Sequence, residues 1–181
     1  MSRKSIAFLR AINVGGHTVK MEQLRALFAA LKLANVETFI ASGNVIFDTP
    51  SGSIAALEQR IERHLEKSLG YKVATMIRSA SEVGAVAAYE PFAASEFAES
   101  KSSLYITFLK DAPTREAARA LMAKKTPVDA LHVHGREVYW LVRGNLMDSR
   151  LSGASMEKIL STTGTMRNAT TVRKLAAKYA A

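Results

Sequence analysis

A chain of 181 residues, 48% hydrophobic and 23% charged, has the composition of a globular protein built as one large domain or two small ones, which argues against disorder. It has no cysteine, which excludes a disulfide framework, a thiolate nucleophile and sulfur-ligated zinc, and suits a reducing cytoplasm. The formal net charge of +9 favours polyanionic partners, or else serves solubility alone.

The first apolar run, "SIAFLRAI", reads as a strand. Arg10 cuts it short of a signal sequence or membrane span, so a soluble intracellular protein is expected. "MEQLRALFAALKL" places Met21, Leu24, Leu27, Phe28 and Leu31 at helical spacing. "VETFIA" and "VIFDT" are strand-like runs around "SGN", where Gly43 can take the positive φ of a hairpin turn. "SIAALEQRIERHLEKSL" is a second amphipathic helix, with Ser53 as N-cap and Gly70 as its end. "YKVATMIR" follows as a strand. The order β-α-β-β-α-β is the split βαβ pattern of a ferredoxin-like unit.

After a short helix, "SEVGAVAAY", and a connecting stretch, the pattern begins again. "SLYITFLK" answers "SIAFLRAI", and "TREAARALMAKK", capped by Thr114, answers the first helix. "ALHVHGREVYWLV" answers the hairpin, with Gly135 in the place of Gly43. Helices are expected around "SMEKIL" and "TVRKLAAKY", with no final strand to match "YKVATMIR". The fold class is therefore α+β, two tandem ferredoxin-like (split βαβ) halves from a degenerate internal duplication. Residues 1–90 form the N-terminal half, 91–102 a linker, and 103–181 the C-terminal half with terminal helices. The first half is longer by about six residues, mainly in "RAINVGGHTVK", and surplus loop on a scaffold is a place for function.

The charge is uneven. Residues 1–95 hold 11 basic and 8 acidic side chains, residues 96–181 hold 14 and 8, and from Lys158 onward there are five basic residues and no acid. In "RAINVGGH", Gly15 and Gly16 can turn the backbone or approach a ligand, with Arg10 and Asn13 as donors to a phosphate or carboxylate. A plain strand-to-helix turn would use the same residues. Hairpin geometry explains Gly43 and Asn44 without a ligand. This hairpin is expected at the opposite end of the sheet from the carboxyl end of the first strand, which would keep Asn44 away from Arg10. In "GTMRNATTVRKL", read as a loop feeding a helix, Thr170 or Asn168 can cap while Val172, Leu175 and Tyr179 form the buried stripe. Arg167 at that entrance meets a positive dipole, so an anion should offset it, either an acidic side chain or a ligand. His132 and His134 alternate on one strand without further ligands, so no metal site is expected. The aromatic strands "LYITFL" and "VYWLV" are apolar on both faces and do not suit an open RNA-stacking platform.

Three stretches, "FLRAINVGG", "TFIASGNVIF" and "TMRNATTVRKL", together resemble a bacterial domain-of-unknown-function family, number 1697, over nearly the whole chain. The resemblance implies an α+β fold related to ferredoxin-like units and no established activity, substrate or cofactor. Carried onto this chain, the family pattern picks out Arg10, Asn13, Gly15, Gly16, Ser42, Gly43, Asn44, Arg167 and Asn168. The family usually has tryptophan after "RN", where this chain has Ala169.

The function expected from these residues is a binding module for an anionic ligand, a phosphorylated metabolite or a nucleic-acid backbone, with no cofactor. Arg10 and Arg167 would pair with the anion, Asn13, Asn44 and Asn168 would orient it, and the glycine amides would approach it. Asparagines that only bridge loops would give the same pattern. The alternatives are an enzyme on a small acidic substrate, using Ser42 or Asp48, and an interaction protein that forms a homodimer.

Overall fold

The computed structural model describes residues 3–13, 15–97 and 101–180. Two compact units emerge, one of Met1–Gly84 with Leu175–Ala181, the other of Ala85–Lys174. The division falls within α-helical segments, near residue 85 and within the last helix.

The first unit runs β1 (Lys4–Leu9), α1 (Met21–Ala30), β2 (Glu37–Thr38), β3 (Asn44–Asp48), α2 (Ile54–Leu69), β4 (Thr75–Ser79), followed by α3 (Ala80–Ala88). Its strands form one antiparallel sheet in the order β2-β3-β1-β4. Alternation along each strand sends Ala7, Leu9, Val45, Phe47 and Ile77 to the helix side. There they pack with Leu24 and Phe28 of α1 and Leu57, Ile61 and Leu65 of α2. The intervening Ile6, Phe8 and Ile46 are also buried, so both faces of the sheet are covered. Ser53 accepts a hydrogen bond from the Ala56 amide, and Gly70 closes α2 at φ 82°.

The second unit repeats the plan with β5 (Ser102–Leu109), α4 (Arg115–Met122), β6 (Asp129–His134), β7 (Glu137–Arg143), α5 (Gly153–Leu160), β8 (Gly164–Asn168), and α6 (Ala169–Tyr179) after it. The sheet order β6-β7-β5-β8 is the same. Tyr139 and Trp140 are buried within it, so its aromatic residues form no open platform. The two four-stranded sheets and six helices make a tandem ferredoxin-like fold of the α+β class.

One expectation is overturned. "GTMRN" is the eighth strand, not a loop, and the second half does have its final strand. Its register makes the repeat explicit: Ile6 faces Arg78 across β1 and β4, and Ile106 faces Arg167 across β5 and β8. Gly164 opens this strand for a steric reason. A Cβ there would lie 2.7 Å from Thr107 Cγ2 and 3.2 Å from the Phe108 carbonyl, so glycine lets the strand approach β5 closely.

One edge of each sheet, β4 in the first and β8 in the second, is protected in the same way. Edge amides pointing away from the sheet need partners. The amides of Thr75 and Ile77 in β4 donate to Glu62 Oε1 (2.8 Å) and Glu58 Oε1 (2.7 Å) from α2. Gly164 in β8 donates to Glu157 Oε1 of α5 at 2.8 Å. Each second helix is thereby pinned to the strand that follows it.

Gly164→Ala should lower stability by about 1–3 kcal/mol, the usual cost of forcing extra volume into a packed site. Urea denaturation of the variant checks this, and an unchanged midpoint would refute the close-approach account.

Candidate functional site

The surplus of the first half lies in one loop. Residues 10–20 connect β1 to α1, whereas residues 110–114 suffice between β5 and α4. The longer loop is clasped rather than loose. Ile12 and Val19 sink into the core of the first unit. Asn13 spans the loop between them, its Oδ1 accepting from the Val19 amide (2.6 Å) and its Nδ2 donating to the Ala41 carbonyl (3.3 Å). The Tyr71 hydroxyl donates to the Ile12 carbonyl at 3.0 Å, and the Tyr71 ring stacks on His17 at 3.8 Å.

The Asn13–Ala41 bond joins this loop to the β2–β3 turn, which corrects the expected placement of that turn. β3 runs antiparallel to both β1 and β2, so β1 and β2 are parallel and the turn after β2 lies at the carboxyl end of β1. Phe8 faces Asn44 across the sheet, and the Leu9 amide donates to the Gly43 carbonyl at 2.8 Å. The Arg10 loop and the Ser42–Asn44 turn therefore converge. Gly43 is held at φ 72° with Ile12 directly above it. A Cβ there would be 2.7 Å from Ile12 Cγ2, so glycine is required for conformation and for space.

Asn44 is fully buried, and its side-chain amide donates to the Phe39 carbonyl (3.0 Å) and to Ser42 Oγ (2.8 Å). Asn44 and Asn13 thus act as bridges within the loops. Backbone strain gathers here too. Ala11 sits at φ 58° and Ile40 at φ 50°, the latter a β-branched residue in a region such residues rarely enter. Ile40 is also 53% exposed, an unusual place for a large apolar side chain.

What this clasp leaves open is a short exposed stretch. Gly15 and Gly16 are exposed at φ 65° and 84°, with empty space where their side chains would be. Their amides donate no hydrogen bond among the described residues. The loop carries Arg10, His17 and Lys20 and no acidic residue. Lys20 stands at the N-cap of α1 without making a side-chain cap, so the helix entrance keeps its free amides and positive dipole end.

Arg167 and Asn168 belong to the second unit. Arg167 is 8% exposed, and its guanidinium turns along its own strand, Nη1 donating to Thr165 Oγ1 and to the Met166 carbonyl, both at 2.8 Å. Burial lowers its pKa to about 10, which leaves it charged at neutral pH. Its counterpart Arg78 is also buried and donates to the Ile77 carbonyl at 3.0 Å. An arginine before the closing helix is thus a repeated feature of both halves. Asn168 is exposed, and its Oδ1 accepts from the Thr170 amide at 2.8 Å, so of the two candidate caps for α6, Thr170 and Asn168, it is Asn168 that caps.

Ser42 and Asp48 flank opposite ends of β3, roughly 15 Å or more apart along an extended chain, so neither can activate the other. His132 and His134 pack around Tyr89, and no group of three or more metal-binding side chains exists among the described residues. No helix there is long and apolar enough to cross a membrane. Sequence reasoning missed Tyr71, which lies 59 residues from the carbonyl it holds, and the strained Ala11 and Ile40. Nothing local marks any of the three.

Asn13→Ala removes both clasp bonds and should cost about 1–2 kcal/mol, given the typical net worth of such bonds. Hydrogen exchange at the Val19 amide should quicken in step with that loss. Unaltered protection would mean that another group holds the loop.

The comparisons with known proteins agree with this architecture. A solved structure described as a conserved bacterial protein, SP0830 from Streptococcus pneumoniae, superposes with a TM-score of 0.77 at 20% identity, covering 100% of both chains. At that identity the likeness concerns the fold. Among curated proteins no relative matches the chain. A family model does match residues 2–139, a stretch that contains the "RAINVGG" and "SGN" motifs and stops short of "TMRN". The chain belongs to the protein family of unknown function DUF1697.

Proposed function

We propose that the protein is a binding module for an anionic ligand, seated at the carboxyl end of β1 where residues 10–20 meet the β2–β3 turn. One observation carries this reading. The loop exceeds its internal counterpart by six residues, is clasped by Asn13, and presents exposed glycine amides among basic side chains only. Exposed backbone amides and a guanidinium are the kinds of donor that phosphate and carboxylate groups take.

Within this reading the residues divide into two kinds. Arg10 contributes charge, and Gly15 and Gly16 contribute amides to the ligand. Asn13, Ser42 and Asn44 hold the two loops in register. Arg167, buried on its own strand, is a latch that secures β8, and Asn168 caps α6. The chemistry fits a phosphorylated metabolite, and an oligonucleotide backbone would offer the same groups at lower specificity.

A thermal-shift screen at low salt with inorganic phosphate, phosphorylated metabolites and oligonucleotides tests the reading. A ligand at 100 times its Kd adds about 2.7 kcal/mol, a rise of roughly 5–10 °C for a chain of this size. Arg10→Ala should abolish the rise. Arg167→Ala should instead lower stability by about 3 kcal/mol, as losses of large buried side chains do, and keep the rise. A ligand response that survives Arg10→Ala would place the ligand elsewhere.

A further inference from the structure

The second unit contains a cleft that plays no part in that reading. It encloses about 360 Å³, within the range of small-molecule sites. Tyr89, Phe92 and Phe97 supply three aromatic rings, Leu104 of β5 an apolar side chain, and Glu90 and Arg173 the two charges. Phe97 is 37% exposed, one of the few large apolar side chains so open to solvent.

Both walls of the cleft are anchored. On one side the Tyr89 hydroxyl is hydrogen-bonded to His132 Nε2 at 2.9 Å, and its ring stacks on His134 at 4.2 Å. Tyr139, packed against Tyr89, donates its hydroxyl proton to the Val86 carbonyl at 3.0 Å, tying the end of α3 to β7. On the other side a 3₁₀ turn, Ala94–Phe97, is held through Glu96. That carboxylate accepts from the Ala93 amide (3.1 Å) and from Arg143 Nη2 of β7 (2.9 Å). The Tyr89 ring and the turn that carries Phe97 are therefore placed before any ligand arrives, which spares the entropy of ordering them. Arg173 projects from α6, is exposed, and its guanidinium makes no hydrogen bond or ion pair among the described residues.

We propose that this cleft binds a planar aromatic anion, an aryl carboxylate or a mononucleotide, with its ring against Tyr89, Phe92 and Phe97 and its anionic group on Arg173. The guanidinium fork matches a carboxylate or phosphate in a bidentate pair, and the aromatic walls match a flat ring by stacking. Glu90 repels the anionic group and so orients the ligand toward Arg173. The cleft uses none of the residues of the 10–20 loop.

The test is an amide NMR titration of the full chain at low salt. The probes are 2-naphthoate and adenosine 5′-monophosphate, with 2-naphthamide and adenosine as neutral counterparts. Saturable shifts at residues 89–97 and 173 are expected with an anion. Binding should be roughly tenfold weaker for its neutral counterpart and for Arg173→Ala, the loss of one charge-assisted contact. Glu90→Gln should tighten it. The tighter of the two anions identifies the source of the ligand. The proposal is overturned if neither anion gives saturable shifts there, if Arg173→Ala binds both as the wild type does, or if Glu90→Gln weakens binding. Shifts confined to residues 10–20 would overturn it as well, by assigning both probes to the first unit.

Discussion

The constraint on which the candidate site depends is the antiparallel placement of β3 between two parallel strands. A helix crossing from β1 to β2 sets those strands parallel, and a hairpin then returns β3 between them. The turn of that hairpin must lie at the carboxyl end of β1. Everything at the site follows: Gly43 beneath Ile12, Asn13 reaching Ala41, and strain at Ala11 and Ile40 on the two facing segments. The same topology in the second unit has a loop six residues shorter, so the architecture by itself does not call for the extra chain.

A second constraint concerns edges. Sheets of four strands leave two edges each, and the chain uses carboxylates from the second helix of each half to satisfy the outward amides of β4 and β8. Glu62 meets the first residue of β4, and Glu157 meets the first residue of β8, so the duplication extends to the device itself. The buried arginines Arg78 and Arg167 repeat in the same way, each opposite an isoleucine of the central strand. Paired occurrence points to a shared duty in the fold. It is the reason to separate Arg167 from Arg10, whose loop is six residues longer than its counterpart in the other half.

The two candidate sites differ in kind. At residues 10–20 the donors are backbone amides and basic side chains on a clasped loop, and the proposed ligand there is an anion with no demand on shape. In the second unit the rings of Tyr89, Phe92 and Phe97 add a demand for a flat apolar body. Each is built from residues that secondary structure does not need. Glycines without neighbours, an exposed phenylalanine and, in the second unit, the exposed Arg173 do little for stability where they stand.

Much of this was readable from the chain because it rests on local chemistry. Helical spacing located α1 and α2, the caps Ser53, Thr114 and Asn168 were identifiable from side chains that bond amides two or three residues away, and matching runs revealed the duplication. The surplus loop was visible as a difference in length. What the tertiary structure alone decided was everything that depends on distant pairing. β8 has one apolar residue in its interior and begins with glycine, so its strand character comes from β5 and not from its own propensity. The direction of Arg167 followed from that strand, the meeting of Asn13 with Ala41 from the sheet order, and the aromatic cleft from residues as far apart as Tyr89 and Arg173. Local rules act over a few residues, whereas a site assembled across a sheet is set by which strands become neighbours.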